Sequence, residues 1–499
     1  MNQFDWLGKW AGFTPDRNAI EEFETGRRFT YAEMNDIAEK VAFYLTTVYN
    51  LKTGDRIAVL SENRAELIAL FSAAQKTGIT LVPLNFRLTS DELDYIIGNC
   101  EPSLFLFEDQ FLEKLEKTKV FSTIKNKFDI DELIPAALTV ENGSLTVPEF
   151  DENHPVFILY TSGTTAFPKG AIYSHKMLFW NSINTEMRLE ITSSDVSIDV
   201  APPFHTGFWN VLLTPFLHHG AETILMRKFD AEAIMKLIEE REISLWWAVP
   251  TMLKMMSDSP EFVDRKLSTI RYMVVGGEAM PIPLIEVWHN KGVPIRQGYG
   301  LTEVGPNITS LSEVDAIRKQ GSIGTPNFYV ETCIVDENGD QIVGEGEGEF
   351  LLKGSNVTPG YWKNEEATMD TIVGGWFHTG DVVRRDSEGY YYVVDRIKNM
   401  YISGGENVYP AQVEYLLRKH DSIDDVVIIG VPDPKWGESG KAFVVKKEGT
   451  SLTEQEVIDY CTGKLAKYKI PRHVEFIPEL PKNDAGKIDR KSLKKKENE

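Results

Sequence analysis

The stretch Tyr160 to Gly170, YTSGTTAFPKG, gathers residues able to hold a polyphosphate. Thr161, Ser162, Gly163, Thr164 and Thr165 set hydroxyls and a glycine in a row, and Lys169 and Gly170 follow. Small residues let backbone N–H groups approach an anion closely, hydroxyls add donors, and a lysine supplies a point charge. A Walker-type loop, GxxxxGK[ST], is excluded: Pro168 stands where that pattern needs glycine, and Gly170 where it needs a hydroxyl. On composition alone an ordinary Ser/Thr/Gly surface loop is the bland alternative. The uncharged run VFILY at 156–160 has the length and residue types of a buried strand that delivers the loop to the surface.

Other clusters carry chemistry of the same kind. In Gln297-Gly298-Tyr299-Gly300-Leu301-Thr302-Glu303 the glycines permit a flat base to pack on the main chain, and Tyr299 offers a stacking face. Thr302 can donate to a phosphate, and Glu303 is a hard oxygen ligand suited to magnesium. Alone, YGLTE is equally a strand-to-helix turn with a capping threonine. Gly276-Gly277-Glu278 closes another strand pattern, and on its own is a simple glycine turn.

In order along the chain, these motifs resemble those of the adenylate-forming superfamily: acyl-CoA synthetases, aryl-CoA ligases, firefly luciferase and peptide-synthetase adenylation domains. The first resembles TSGTTGxPKG and departs at Ala166, where glycine is usual; at positive φ an alanine costs about 1–2 kcal/mol there, and at negative φ almost nothing. The second matches YGxTE. Trp376-Phe377-His378-Thr379-Gly380-Asp381 matches GWxxTGD, and Pro481-Lys482-Asn483-Asp484-Ala485-Gly486-Lys487 resembles PKTxxGK. The resemblance implies ATP, Mg2+ and coenzyme A as cofactors, with Thr165 and Glu303 toward the metal and Gly276, Gly277 and Glu278 at the adenine. It implies Asp381 at the ribose hydroxyls, Arg396 at ribose or phosphate, and Lys398 at a hinge. Lys487 is the expected bridge between substrate carboxylate and α-phosphate. Gly404 and Gly405, in Ser403-Gly404-Gly405-Glu406-Asn407, with Trp436 and Gly437, are expected to line the path of the thiol acceptor. His205, in Pro202-Pro203-Phe204-His205-Thr206-Gly207, stands where relatives keep a gate near the carboxylate; a lone histidine is as often structural.

The implied reaction follows from elementary chemistry. A carboxylate does not acylate a thiol, because its leaving group would be oxide. Transfer of AMP makes a mixed anhydride with a phosphate leaving group, which CoA can then displace. The expected substrate is a fatty acid of medium or long chain, with aryl acids (benzoate, cinnamate or succinylbenzoate type) as the alternative. Phe208, Trp209, Trp246 and Val274 are the expected pocket walls. A luciferase-like oxygenase shares the first step, and a non-catalytic nucleotide-binding relative is disfavoured by the joint presence of Lys169, Glu303, Asp381, Arg396 and Lys487.

The elements that must position these residues follow an α/β pattern. Arg56 to Leu60 reads as a strand, Asn63 as the cap of a helix running to Gln75, and Thr80 to Leu84 as the next strand, which is the alternation of parallel βαβ units. Residues 108–150 have a weak pattern and are expected to be a connecting excursion. A second βα series holds strand patterns at Ala221–Met226, Leu245–Val249, Tyr272–Val275 and Pro294–Gln297. Glycine-punctuated short runs from Gly321 to Tyr392 suggest a small antiparallel β section. The expected organisation is a multi-subdomain N-terminal region at 1–395, a hinge at 396–398 and a mobile α+β C-terminal domain at 399–499, its basic stretch Lys491 to Lys496 being a solvated tail.

The 499 residues supply core for about three domains' worth of structure. A formal charge of −22 argues against nucleic acid as a partner, though a local lysine still serves a small anion. Cys100, Cys333 and Cys461 are too few and too scattered for a disulfide framework or zinc site, and are read as buried small hydrophobes. The N-terminus lacks a signal-peptide pattern, and no run nears the roughly 18 apolar residues of a membrane span. A cytoplasmic enzyme, with a homodimer as its candidate assembly and a small carboxylic acid as its partner, is the resulting expectation.

Overall fold

A computed structural model describes residues 3–140, 149–161, 168–277, 280–312, 314–403, 406–462, 464–465, 467–483 and 487–498. The chain forms two compact units, Met1–Thr332 with Leu352–Phe377, and Cys333–Leu351 with His378–Glu499.

Among the described residues, the largest sheet of the first unit orders Lys127–Asp129, Leu104–Phe107, Arg56–Leu60, Thr80–Pro83, Pro155–Thr161 and Lys169–Ser174. The first five strands are parallel, and the last pairs antiparallel with Pro155–Thr161. The helix Ala65–Thr77 is buried along its whole length, as its run of alanines and leucines requires. Its Phe71 stacks on Phe157 at 5.6 Å, and Trp209 lies 4.8 Å from the same ring. Asn63 does not cap this helix. Arg64 holds that position without a side-chain bond, and Asn63 instead donates to the carbonyls of Ala201 at 2.9 Å and Met226 at 2.8 Å. The excursion after Phe107 is more ordered than its weak pattern suggests. It contributes the edge strand Lys127–Asp129 and short helices Leu112–Glu116, Lys119–Thr123 and Leu133–Thr139, which bury Leu115, Phe121 and Leu133.

A second sheet orders Arg28–Thr30, Asn18–Glu22, Glu222–Leu225 and Val196–Asp199. The third carries most of the site. Its strands Leu245–Ala248, Tyr272–Val275 and Ile295–Leu301 are parallel, and Gly305–Ser310 and Thr325–Pro326 follow antiparallel. Antiparallel pairing continues from Ile372–Val373 through Trp376–Arg385 to Tyr391–Arg396, the β section expected from the glycine punctuation.

In the second unit the sheet orders Glu406–Val408, Tyr401–Ser403, Gly437–Lys446 and Ile423–Asp433, with His473–Phe476 parallel to Gly437–Lys446. The helices Pro410–Leu417 and Glu454–Cys461 bury Val413, Leu417, Val457 and Cys461 against it. The basic C-terminal stretch is not a solvated tail. It forms the helix Arg490–Asn498, pinned by Leu493 in a small apolar cluster, by Arg490 to Glu414 at 2.7 Å, and by Lys496 to Glu475 at 2.6 Å. All three cysteines are free and buried. Burial pushes the Cys100 thiol up to about 12 and the Cys461 thiol up to about 11, so neither is a nucleophile near neutrality. No helix among the described residues is long and apolar enough to cross a membrane.

Candidate active site

The first unit brings Thr161, Lys169 and Glu303 together, from two sheets. Thr161 and Lys169 face each other as the last described pair of their two strands. Glu303 sits in the turn between Ile295–Leu301 and Gly305–Ser310, its carbonyl accepting from the Thr358 N–H at 2.7 Å. Its Oε1 accepts from the Tyr361 hydroxyl at 3.0 Å and from Thr161 Oγ1 at 3.4 Å. The Lys169 ammonium lies 5.2 Å from the centre of the Tyr361 ring. Sequence reasoning missed Tyr361, which contacts both Glu303 and Lys169; the only signal was an aromatic residue in the Gly360-Tyr361-Trp362 stretch.

The strand Ile295–Leu301 runs through the motif rather than ending before it. Gly300 is there because nothing larger fits: a Cβ would stand 2.3 Å from the Gly305 carbonyl oxygen. Tyr299 is half-buried and faces Thr309 across the ladder, and Gly298 pairs with Ser310. Gln297 is buried, its Oε1 accepting from Met280 N–H at 2.9 Å and its Nε2 donating to Ser322 at 3.3 Å, so it braces the loop and does not offer its amide to a ligand. Gly276 and Gly277 follow the neighbouring strand Tyr272–Val275, and Thr302 is half-buried in the turn. Ser162, Gly163, Thr164, Thr165, Ala166, Glu278, Gly404 and Gly405 lie outside the described residues.

His205 is half-buried, in a turn closed by its N–H to the Pro202 carbonyl, with its ring 4.6 Å from Phe204. All four expected walls are core residues instead. Phe208 and Trp209 are fully buried, the Trp209 N–H donating to Pro203 at 2.7 Å, and Trp246 is fully buried in a separate cluster. Val274 is buried as well, cross-strand from Trp247 and in the cluster that Trp247 packs against. Trp247 is only partly buried, and its indole lies against Gly207, where a Cβ would come within 2.7 Å of Cη2. Strand alternation could have found it, since Trp246 and Trp247 must face opposite sides.

The second unit groups the remaining residues. Asp381 and Arg396 are cross-strand partners, with Nε 2.9 Å from Oδ1. Asp381 is 2 % exposed, and its backbone N–H is held by Thr379 Oγ1 at 3.0 Å. Lys398 titrates below the ordinary lysine range, chiefly through partial desolvation by its neighbours, then because Arg396, Lys491 and Lys487 crowd it with positive charge, against which Asp381 acts. Lys487 is bonded to Asn483 twice, its carbonyl accepting from the Asn483 N–H and its own N–H donating to Asn483 Oδ1 at 3.1 Å. Asp395, also missed, ties this segment down by accepting from Asn399 at 3.0 Å and from Ala411, at the start of helix Pro410–Leu417, at 2.8 Å. Gly437 pairs with Ser403 in the sheet, so the two stretches expected near the acceptor thiol adjoin, and Trp436 stacks under the Arg472 guanidinium at 4.9 Å.

This donor set fits magnesium brought in by a nucleotide. Among the described residues no three His, Cys, Asp or Glu side chains are placed to hold a metal ion. One carboxylate, Glu303, stands beside a lysine and hydroxyls, which suits a cation whose other ligands are phosphate oxygens and water.

Comparison with known proteins agrees. Residues 7–362 match the AMP-binding enzyme family, and 412–487 match the AMP-binding enzyme C-terminal domain. The chain is 33% identical over 489 residues to a feruloyl-CoA synthase of Amycolatopsis, covering 97% of each. It is 34% identical to a long-chain-fatty-acid–CoA ligase of Mycobacterium tuberculosis, covering 98% of this chain and 97% of that one. It is 35% identical to a 2-succinylbenzoate–CoA ligase of Bacillus cereus, covering 98% of each. Among solved structures, o-succinylbenzoate CoA synthetase from Bacillus subtilis with its acyl-adenylate intermediate superposes at TM-score 0.87 with 31% identity, over 98% of each chain. ATP-bound MatB from Rhodopseudomonas palustris superposes at 0.92 with 29% identity, over 99% of each.

Proposed function

The chain belongs to the AMP-binding enzyme family and is an AMP-forming acid–CoA ligase that uses ATP, Mg2+ and CoA, and we propose that its acid is compact and apolar, a medium-chain fatty acid or an aryl acid, ending against Trp247. In the first half-reaction a carboxylate oxygen attacks the α-phosphorus of ATP, the bond to pyrophosphate breaks, and acyl-AMP forms. In the second, the CoA sulfur attacks the acyl carbon, its proton is lost, and AMP leaves with the bonding pair.

Lys169 serves the phosphates, and Glu303 would hold a magnesium ion, which would supply positive charge against theirs. Gly298 and Tyr299 receive the adenine, and Asp381 with Arg396 the ribose. Lys487 spans carboxylate and α-phosphate, where it stabilises the charge that builds up in the transition state. His205 stands at the acid's carboxylate. The 396–398 segment is the pivot between half-reactions, and Ser403, Trp436 and Gly437 meet CoA.

For the acid, the supporting observation is the Trp247 indole lying on Gly207, two residues beyond His205, where it limits the length of a tail. The aryl reading draws support from the feruloyl- and succinylbenzoate-CoA ligases among the relatives. The test measures CoA-ester formation with straight-chain acids from butyrate to palmitate and a set of benzoates and cinnamates. The native enzyme should lose kcat/KM beyond medium length. Trp247→Ala should extend the accepted range, each newly buried methylene gaining about 4-fold. An unchanged chain-length profile in Trp247→Ala removes the proposed wall.

A further inference from the structure

Tyr361 lies on an extended segment laid beside the strand that carries Lys169. Ala171 and Tyr361 form an isolated bridge, the Trp362 N–H donates to the Gly170 carbonyl at 2.7 Å, and the Ile172 N–H donates to the Gly360 carbonyl at 3.1 Å. Two residues earlier, the Thr358 N–H holds the Glu303 carbonyl. One short segment therefore fixes the backbone of Glu303 and faces the strand of Lys169, and its tyrosine contacts both side chains.

A lone carboxylate swings about its own bonds, and a lysine head rides on a flexible four-carbon stem. Neither is preorganised unless something holds it. We propose that Tyr361 is the positioning residue of the phosphate end of the site, its hydroxyl setting the Glu303 carboxylate for the divalent cation and its ring holding the Lys169 ammonium. Donation to Oε1 fixes the carboxylate plane, as a hydrogen bond behind a metal ligand does. The ring face supplies a cation–π contact that orients the lysine without neutralising it.

This rests on reading Glu303 as the cation's carboxylate, and the experiment separates the two. ATP binding to the full-length protein is titrated calorimetrically against Mg2+ concentration, and in EDTA, for the native enzyme, Tyr361→Phe, Tyr361→Leu and Glu303→Gln. Tyr361→Phe keeps the ring and should raise the half-saturating Mg2+ about 10-fold while leaving ATP affinity in EDTA unchanged. Tyr361→Leu should also weaken binding in EDTA by about 3-fold. If Glu303→Gln shifts the Mg2+ titration and Tyr361→Phe does not, the role of Tyr361 is refuted alone. If Glu303→Gln also superimposes on the native curve, the reading of Glu303 fails with it. Should Tyr361→Leu not fold, Tyr361→Phe still decides the matter.

Discussion

Gly298 and Gly300 lie two residues apart on one strand, yet alanine at each should fail in a different way. A Cβ at Gly300 would meet the Gly305 carbonyl oxygen and the Pro306 carbonyl carbon at 2.3 Å, and the Pro306 oxygen at 2.4 Å. All three are backbone atoms of the facing strand, and the ladder already slips between Tyr299 and Leu301. The hairpin must therefore open, and overpacking of this kind costs about 1–3 kcal/mol. Glu303 sits at the tip of that hairpin, so its 3.0 Å bond to Tyr361 should go with it. At Gly298 the nearest atom to a Cβ is the Thr309 carbonyl oxygen at 3.4 Å, which is ordinary contact, so Gly298→Ala should leave stability within about 0.5 kcal/mol of native. Its methyl would instead occupy the surface proposed for the adenine. The assay pairs urea midpoints, followed by tryptophan fluorescence, with calorimetric ATP binding in Mg2+. Gly300→Ala should lower the midpoint and weaken ATP roughly 5- to 150-fold. Gly298→Ala should weaken ATP with a native midpoint. A native midpoint for Gly300→Ala would refute the packing argument, and native ATP affinity for Gly298→Ala would take the base off that strand.

Lys487→Ala should cut acid-dependent pyrophosphate release about 10²–10³-fold while sparing thioester formation from supplied acyl-AMP; equal loss in both assays assigns the residue wrongly. Because Lys398 is held below its ordinary value of 10.5, the folded protein carries fewer protons than the unfolded chain just under that pH, so its contribution to stability rises with pH through this window; nucleotide binding, by adding anionic charge, should draw protons up there. Calorimetry in buffers of different ionisation enthalpy reads that uptake, which Lys398→Gln should abolish.

The fold was legible wherever a buried strand had to be apolar. RIAVL at Arg56–Leu60 and YMVV at Tyr272–Val275 can be little else, and both are strands. What misled were residues whose role is set by tertiary partners. Asn63 has the type and position of a cap, but two carbonyls of distant segments claim its amide. The lysines at 491–496 read as a tail, yet Leu493 and the Arg490–Glu414 and Lys496–Glu475 pairs seat the helix that carries them, its lysines still facing solvent. In the site, the motifs named Lys169, Glu303, Asp381 and Arg396, and the structure pairs Asp381 with Arg396 and sets Lys169 and Glu303 on one ring. Tyr361 escaped notice because its partners lie 58 and 192 positions away in sequence, a relation that only topology supplies.

Identity near one third to ligases of ferulate, succinylbenzoate and long-chain fatty acids shows how reaction and substrate are encoded at different tolerances. Joining an acid to AMP needs fixed charges at fixed distances, and a donor lost from such a set costs about 10²–10³ in rate. Choosing the acid needs only shape, and one methylene in an apolar pocket is worth about 1–3 kcal/mol. A chain can therefore keep every charged residue of the first task while one apolar side chain changes the second. Trp247 is suited to that part: it is half-buried near the end of a strand, against a glycine that has made room for it. A substitution there should move the acid profile and leave Mg2+ and ATP dependence alone.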